Sequence, residues 1–141
     1  AGRELNDKMG NHVASQLITA MKKKSIQIEG AKILIMGLTF KENCADIRNS
    51  GIKNVIESLK NFNCDLDLYD PWVDKEDIKK TYNINPSFTL NENTYDGIII
   101  AVAHDKFKAM GFNTIYNLCK KNYIIYDLKY LFTSDKIELR L

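Results

Sequence analysis

Apolar positions along the chain fall into two kinds of pattern that alternate from one end to the other. Leu5, Met9, Val13, Leu17 and Met21, with Ile18 beside them, recur about every four residues and predict a helix from Asn6 to Lys24 in spite of Gly10. A connector, Ser25 to Gly30, ends in a glycine turn. Ile33-Leu34-Ile35-Met36 is then a short continuous apolar run rich in β-branched residues, the pattern of a buried strand. After a polar stretch, Ile52, Val55, Ile56 and Leu59 sit at i, i+3, i+4 and i+7, one face of a second helix. Ser50 or Asn49 is placed to cap its first turn by accepting a backbone N–H.

Asp65-Leu66-Asp67-Leu68-Tyr69-Asp70 alternates with period two, a strand with one face partly wet, and Asp70-Pro71 stops it. Asp74 with Asp77 has the form of a capping pair opening a short helix through Tyr82. Between Asn83 and Thr94 the pattern is ambiguous, and Phe88-Thr89-Leu90 is the candidate for a short edge strand. Gly97 to Ala103 is a second continuous apolar run, suited to the middle of a sheet covered on both faces. A helical region from Asp105 to Lys121, broken near Gly111, precedes a last strand, Tyr123 to Asp127.

Strands alternating with helices predict an α/β fold: a Rossmann-like, doubly wound parallel sheet with helices on both faces, preceded by an N-terminal helix. In such sheets ligands lie beyond the carboxyl ends of the strands, at the switch in strand order. Four segments converge there: Leu38 to Asn49, Asp70-Pro71-Trp72, His104-Asp105 and Leu128-Lys129-Tyr130.

Composition narrows the classes. A chain of 141 residues with 45% hydrophobic positions fits one packed domain. A net charge of +2 with scattered lysines argues against a nucleic-acid surface. Cys44, Cys64 and Cys119 are odd in number and widely spaced, which signals neither a disulfide framework nor a metal site and suits a reducing, cytoplasmic setting. No run reaches the length of a membrane span, and no signal peptide opens the chain. The chain does not begin with Met, and its first helix starts without a lead-in, as expected of part of a longer protein.

The chemistry concentrates in the stretch from Gly37 to Gly51, between the first strand and its helix, where unpaired N–H groups and the helix dipole favour an anion. A dinucleotide fingerprint requires G-x-G-x-x-G in one tight turn. Gly37 is followed by no glycine until Gly51, which argues against NAD in this domain, and Asp70 is better read as an Asp-Pro turn than as a ribose ligand. A phospho-receiver domain needs an acidic pair after its first strand, where this chain has Gly37-Leu38-Thr39-Phe40. Lys41 is suited to pair with phosphate or a sugar hydroxyl, and Phe40 to wall a nucleotide or sugar. Asp46 and Arg48 are expected to hold the loop's shape. His104, a lone histidine without a visible partner, and Cys44 are read as structural.

Gly37-Leu38-Thr39-Phe40-Lys41 through Cys44-x-Asp46-x-Arg48-Asn49-Ser50 resembles the signature of the C-terminal domain of the UDP-glucose/GDP-mannose dehydrogenase family. Glu42-Asn43-Cys44, Tyr69-Asp70-Pro71-Trp72-Val73-Asp74, Ala101-Val102-Ala103-His104-x-x-Phe107, Ala1-Gly2-Arg3 with Asn6-Asp7, and Tyr126-Asp127-Leu128-Lys129 are similar to the branch that oxidises UDP-N-acetylhexosamines. The resemblance spans essentially the whole chain and corresponds to about the last third of such an enzyme.

It implies a UDP-sugar-binding Rossmann-like domain over 25–141, with 1–24 continuing from a central dimerisation helix. It implies that Phe40, Lys41 and Lys129 meet the UDP-sugar while Asp46, Arg48 and Ser50 shape the loop. Lys129 stands where relatives acting on UDP-glucose often carry Arg, which removes a bidentate fork. The full-length enzyme is then expected to be a homodimer that oxidises the C6 alcohol to a carboxylate with two NAD per turnover, through a covalent cysteine intermediate. Its product would be a nucleotide-activated uronic acid for cell-surface polysaccharide. The cysteine motif and the NAD fingerprint are absent from this chain, so the chain alone is expected to be inactive. UDP-glucose oxidation and a free-standing, non-catalytic nucleotide-binding module are the alternatives.

Overall fold

The structure is a computed structural model, and it describes residues 7–48, 51–87 and 89–141, without the side chain of Asp7. Five parallel strands form one sheet: β1 (Lys32–Met36), β2 (Asp65–Tyr69), β3 (Tyr95–Ile100), β4 (Cys119–Asp127) and β5 (Leu139–Arg140). Their order is β2-β1-β3-β4-β5. The chain leaves β1 toward one edge and returns past it to β3, so the switch point lies between β1 and β3.

Alternation along β1 sorts its side chains between two cores. Ile33 and Ile35 face α1 (Asp7–Lys23) and α2 (Ile52–Asn61), packing with Val13, Leu17, Met21, Val55, Ile56 and Leu59. Leu34 and Met36, with Ile98 and Ile100, face Phe107 of α4 (Asp105–Met110) and Ile115 of α5 (Phe112–Tyr116). Each such side chain, fully buried, contributes about 1.5–3 kcal/mol. Helices thus cover both faces, and the sheet is the doubly wound one the alternation predicts.

Gly10, which costs a helix about 1 kcal/mol relative to Ala, has a packing reason. A Cβ there would lie 2.8 Å from the Gly51 carbonyl oxygen and 3.0 Å from Asn54 Cβ, so α1 seats against the start of α2 only without a side chain. The N-cap of α2 is Gly51, with no side-chain cap bond. Asn49 and Ser50, expected at this position, lie outside the described residues, as do Ala1 to Asn6. In α3 (Lys75–Tyr82), Asp74 accepts from the backbone N–H of Glu76.

Three boundaries differ from the sequence reading. The helical region breaks at Gly111 as expected but ends at Tyr116 rather than Lys121, and β4 begins at Cys119 rather than Tyr123. Lys120, Lys121 and Asn122 are exposed at an irregularity where the partner of Tyr95 is Cys119 and that of Gly97 is Ile124, so polar residues interrupt the strand pattern. Thr89 and Leu90 form no strand, and Phe88 lies outside the described residues. The pairing on the outer edge of β2 is instead Pro86 with Leu68, where Ser87 N–H donates to the Leu68 carbonyl at 2.9 Å. That edge suits a proline, which has no N–H to lose. Strand β5, two residues long, is too short to show a period.

Candidate functional site

The carboxyl end of β1 leads into the loop through Gly37, whose φ is +100°. A Cβ at Gly37 would meet Val102 Cβ at 2.7 Å and Val102 N at 2.9 Å, so only glycine passes under the segment that follows β3. The loop then hands its N–H groups to protein acceptors one after another. Leu38 N–H donates to Asp70 Oδ2 at 2.8 Å, Phe40 N–H to the Asp46 carbonyl at 3.0 Å, and Asn43 N–H to His104 Nδ1 at 2.9 Å. Thr39 Oγ1 donates to the Lys41 carbonyl at 2.8 Å. Asn43, at φ +55°, exchanges two 3.0 Å bonds with Asp105, its Nδ2 donating to the carboxylate and its Oδ1 accepting the Asp105 N–H.

Asp70 and His104 lie beneath the loop with their side chains fully buried. The N–H of Asn43 points at Nδ1, which therefore accepts, and the ring proton sits on Nε2, from where it is donated to Asp70 Oδ2 at 3.0 Å. Asp70 Oδ1 accepts Trp72 N–H at 2.9 Å, so the Asp-Pro turn exists and the same carboxylate serves the loop as well. The expectation of a histidine without a partner is corrected: its partner is 34 residues away in sequence and invisible to spacing. The imidazole edge also meets the Phe107 ring, with centroids 5.1 Å apart.

Asp46 and Arg48 form a fork of two bonds, 3.0 and 3.1 Å, on the exposed side of the loop. The guanidinium hydrogen bonds hold the Asp46 carboxyl below the usual carboxylate range. Ser50 lies outside the described residues. Among the cysteines, burial pushes the Cys64 thiol up to about 11 and the Cys119 thiol up to about 12, which keeps both protonated and unreactive at neutral pH. All three cysteines are free. Among the described residues no cluster of His, Cys, Asp and Glu is arranged to hold a metal ion, and no helix is long and apolar enough to cross a membrane.

Phe40, 43% exposed, and Lys129 border one crevice of about 20 Å³ together with Thr39, Gly51, Ile52, Ala101 and Val102. Lys41 is exposed next along the loop and does not line it. Lys129 is presented by a short loop in which the buried Asp127 accepts the N–H groups of Lys129 at 3.2 Å and Phe132 at 3.0 Å. The four predicted segments do converge: bonds join the first three, and Lys129 faces the loop across the crevice. Such a volume holds about one water molecule, whereas small-molecule sites enclose roughly 300–1,000 Å³. These residues therefore enclose no cavity of ligand size by themselves. A groove of about 490 Å³ runs elsewhere, between α1 and the β4–β5 edge, and contains none of the candidates.

The turn after β1 does not fit a dinucleotide pyrophosphate. Its N–H groups at Leu38, Phe40 and Asn43 are committed to the protein, no second glycine opens the turn, and Asp70 is buried under it. The sequence reading weighed Asp70 and His104 singly, as a turn and as a structural histidine, and missed that they pair; it gave Asp127 no role of its own. For Asp127 a signal existed, since an Asp that ends a strand and precedes a turn commonly caps it.

Comparison with known proteins agrees with this architecture. The chain is 50% identical over all 141 residues to a UDP-N-acetyl-D-glucosamine 6-dehydrogenase of Pseudomonas aeruginosa, and 48% identical over the same length to one of Salmonella typhi. It spans 33% of the length of each. An NDP-N-acetyl-D-galactosaminuronic acid dehydrogenase of Methanosarcina mazei shares the fold with a TM-score of 0.77 at 18% identity, covering 92% of this chain and 27% of that one. The UDP-D-ManNAc dehydrogenase of Pyrococcus horikoshii does so with a TM-score of 0.70 at 24% identity, covering 92% and 29%. The UDP binding domain of one family matches residues 34–134, from the third residue of β1 to beyond the Lys129 turn. On that match the chain belongs to the UDP-glucose/GDP-mannose dehydrogenase family and carries its UDP binding domain.

Proposed function

We propose that this domain supplies the nucleotide-sugar wall of an NAD-dependent UDP-N-acetylhexosamine 6-dehydrogenase, which converts the C6 alcohol to a carboxylate. The observation that carries the reading is the meeting of Phe40 and Lys129, from two different strand ends, at one crevice beside the switch point. The 50% identity to an N-acetylglucosamine-nucleotide dehydrogenase supports the N-acetylhexosamine class over UDP-glucose. In this reading Phe40 packs against the ligand, while Lys41 and Lys129 pair with its phosphates or sugar hydroxyls. Asp46, Arg48 and Ser50 keep the loop in shape.

NAD and the reacting cysteine belong to parts of the full-length protein outside this chain, and α1 continues from its central, dimer-forming region. The reaction takes place in the cytoplasm and feeds polysaccharide synthesis. The isolated chain is then inactive.

The test is NAD reduction by the full-length protein with UDP-linked N-acetylglucosamine, N-acetylgalactosamine, N-acetylmannosamine and glucose. An N-acetylhexosamine substrate is expected to be preferred, and preference for UDP-glucose would overturn that choice. Lys41→Ala is expected to lower kcat/KM by about tenfold to a hundredfold, the loss of one charge-assisted contact. Unchanged kinetics would remove Lys41 from the site.

A further inference from the structure

We infer that Asp70 and His104 are positioning residues for the nucleotide-sugar loop, with His104 required in its Nε2–H form. The inference rests on the reading of that loop given above. In the sheet order β2-β1-β3, the loop after the middle strand is flanked by the ends of both neighbours, and each contributes one member of the pair. Asp70, after β2, takes the Leu38 N–H, and His104, after β3, takes the N–H of Asn43. Thr39, Phe40, Lys41 and Glu42 are suspended between these two points. Thr39 Oγ1, 3.4 Å from His104 Nε2, adds a third tie by holding the Lys41 carbonyl.

Neither member of the pair lines the crevice, and neither exposes its side chain, so both act on a ligand only through the loop. An apolar residue at 70 would leave the Leu38 and Trp72 N–H groups without their acceptor, so the pair is more than filler under the loop. What an apolar residue at 104 lacks is an acceptor for Asn43 N–H. With Nδ1 protonated, two donors would oppose each other at that contact, which is why the tautomer matters.

Two substitutions in the full-length protein divide the pair's functions. Asparagine at 104 keeps an acceptor near the place of Nδ1, while glutamine keeps a donor reaching toward Asp70. His104→Gln is expected to raise KM for the UDP-sugar by about tenfold, one lost part-buried hydrogen bond, with kcat and KM for NAD changed by less than about threefold. His104→Asn is expected to recover most of that loss. Equal effects on both substrates, or a lower melting temperature with KM for the UDP-sugar unchanged, would overturn the inference.

Amide hydrogen exchange gives a readout independent of activity: the Asn43 N–H is expected to lose protection by about tenfold or more in His104→Gln. Retained protection would overturn the pinning itself. Should the loop prove not to bind nucleotide sugar, Lys41→Ala would leave kinetics unchanged while this exchange effect persisted, which separates the two failures. If the histidine variants do not fold, Asp70→Asn, which changes the other member of the pair and lies outside the crevice, serves in their place. A selective rise in KM for the UDP-sugar is expected, and an unchanged value would count against the inference.

Discussion

The loops after β1 and β4 both present a lysine at the same end of the sheet, but they are held in different ways. After β4, Asp127 accepts two N–H groups from residues two and five positions ahead, so the turn's side-chain ties come from its own segment, with Arg140 of β5 donating to the Phe132 and Ser134 carbonyls behind it. After β1 the loop is longer and takes its support from Asp70 and His104, which belong to the ends of two other strands. A short loop encodes its shape locally. A long one relies on neighbours that only the sheet order brings together.

The contrast is open to direct attack. Asp70→Ala leaves Leu38 N–H, Trp72 N–H and His104 Nε2–H without their acceptor, and is expected to cost about 3–5 kcal/mol in urea unfolding. A cost under about 1 kcal/mol would mean that the long loop does not depend on its remote support. Asp127→Ala removes a buried acceptor of two bonds and is expected to cost about 1–3 kcal/mol, with exchange changes confined to the backbone near 128–132. Changes spreading into the β1 loop would erase the distinction.

The smallest effect is expected at Arg48→Ala. The Arg48–Asp46 fork is exposed, and such pairs are weak in water, so the unfolding midpoint should stay where it is. The carboxyl of Asp46 is held below its usual range by the guanidinium. Any stability it contributes is present above the unfolded carboxylate pKa and is lost as pH falls through the lowered value. In an NMR titration Asp46 is expected to titrate at higher pH in the variant than in the parent, and an unchanged curve would mean that the fork does not persist in solution.

The same division explains what was legible beforehand. The apolar runs at Ile33–Met36 and Gly97–Ala101 and the alternation through Leu66 and Leu68 reflect burial on two faces and on one face, and burial is written residue by residue. Phe40 stood out because an aromatic is costly to expose in a loop, Lys41 because it stands beside it near a helix N-terminus, and Lys129 only because it matched a family pattern. His104 gave no such sign, since its partners are 34 and 61 residues away. The start of β4 was hidden by Lys120-Lys121-Asn122, whose exposure at an irregular pairing erased the strand period.

The seat of Gly10 against Gly51 has a mechanical meaning. Gly51 is a wall residue of the crevice, and α1 rests on its carbonyl without room for one methyl group. The first helix and the crevice wall are therefore in direct contact: any side chain at position 10 has to displace either α1 or Gly51, so a substitution there is felt at the crevice.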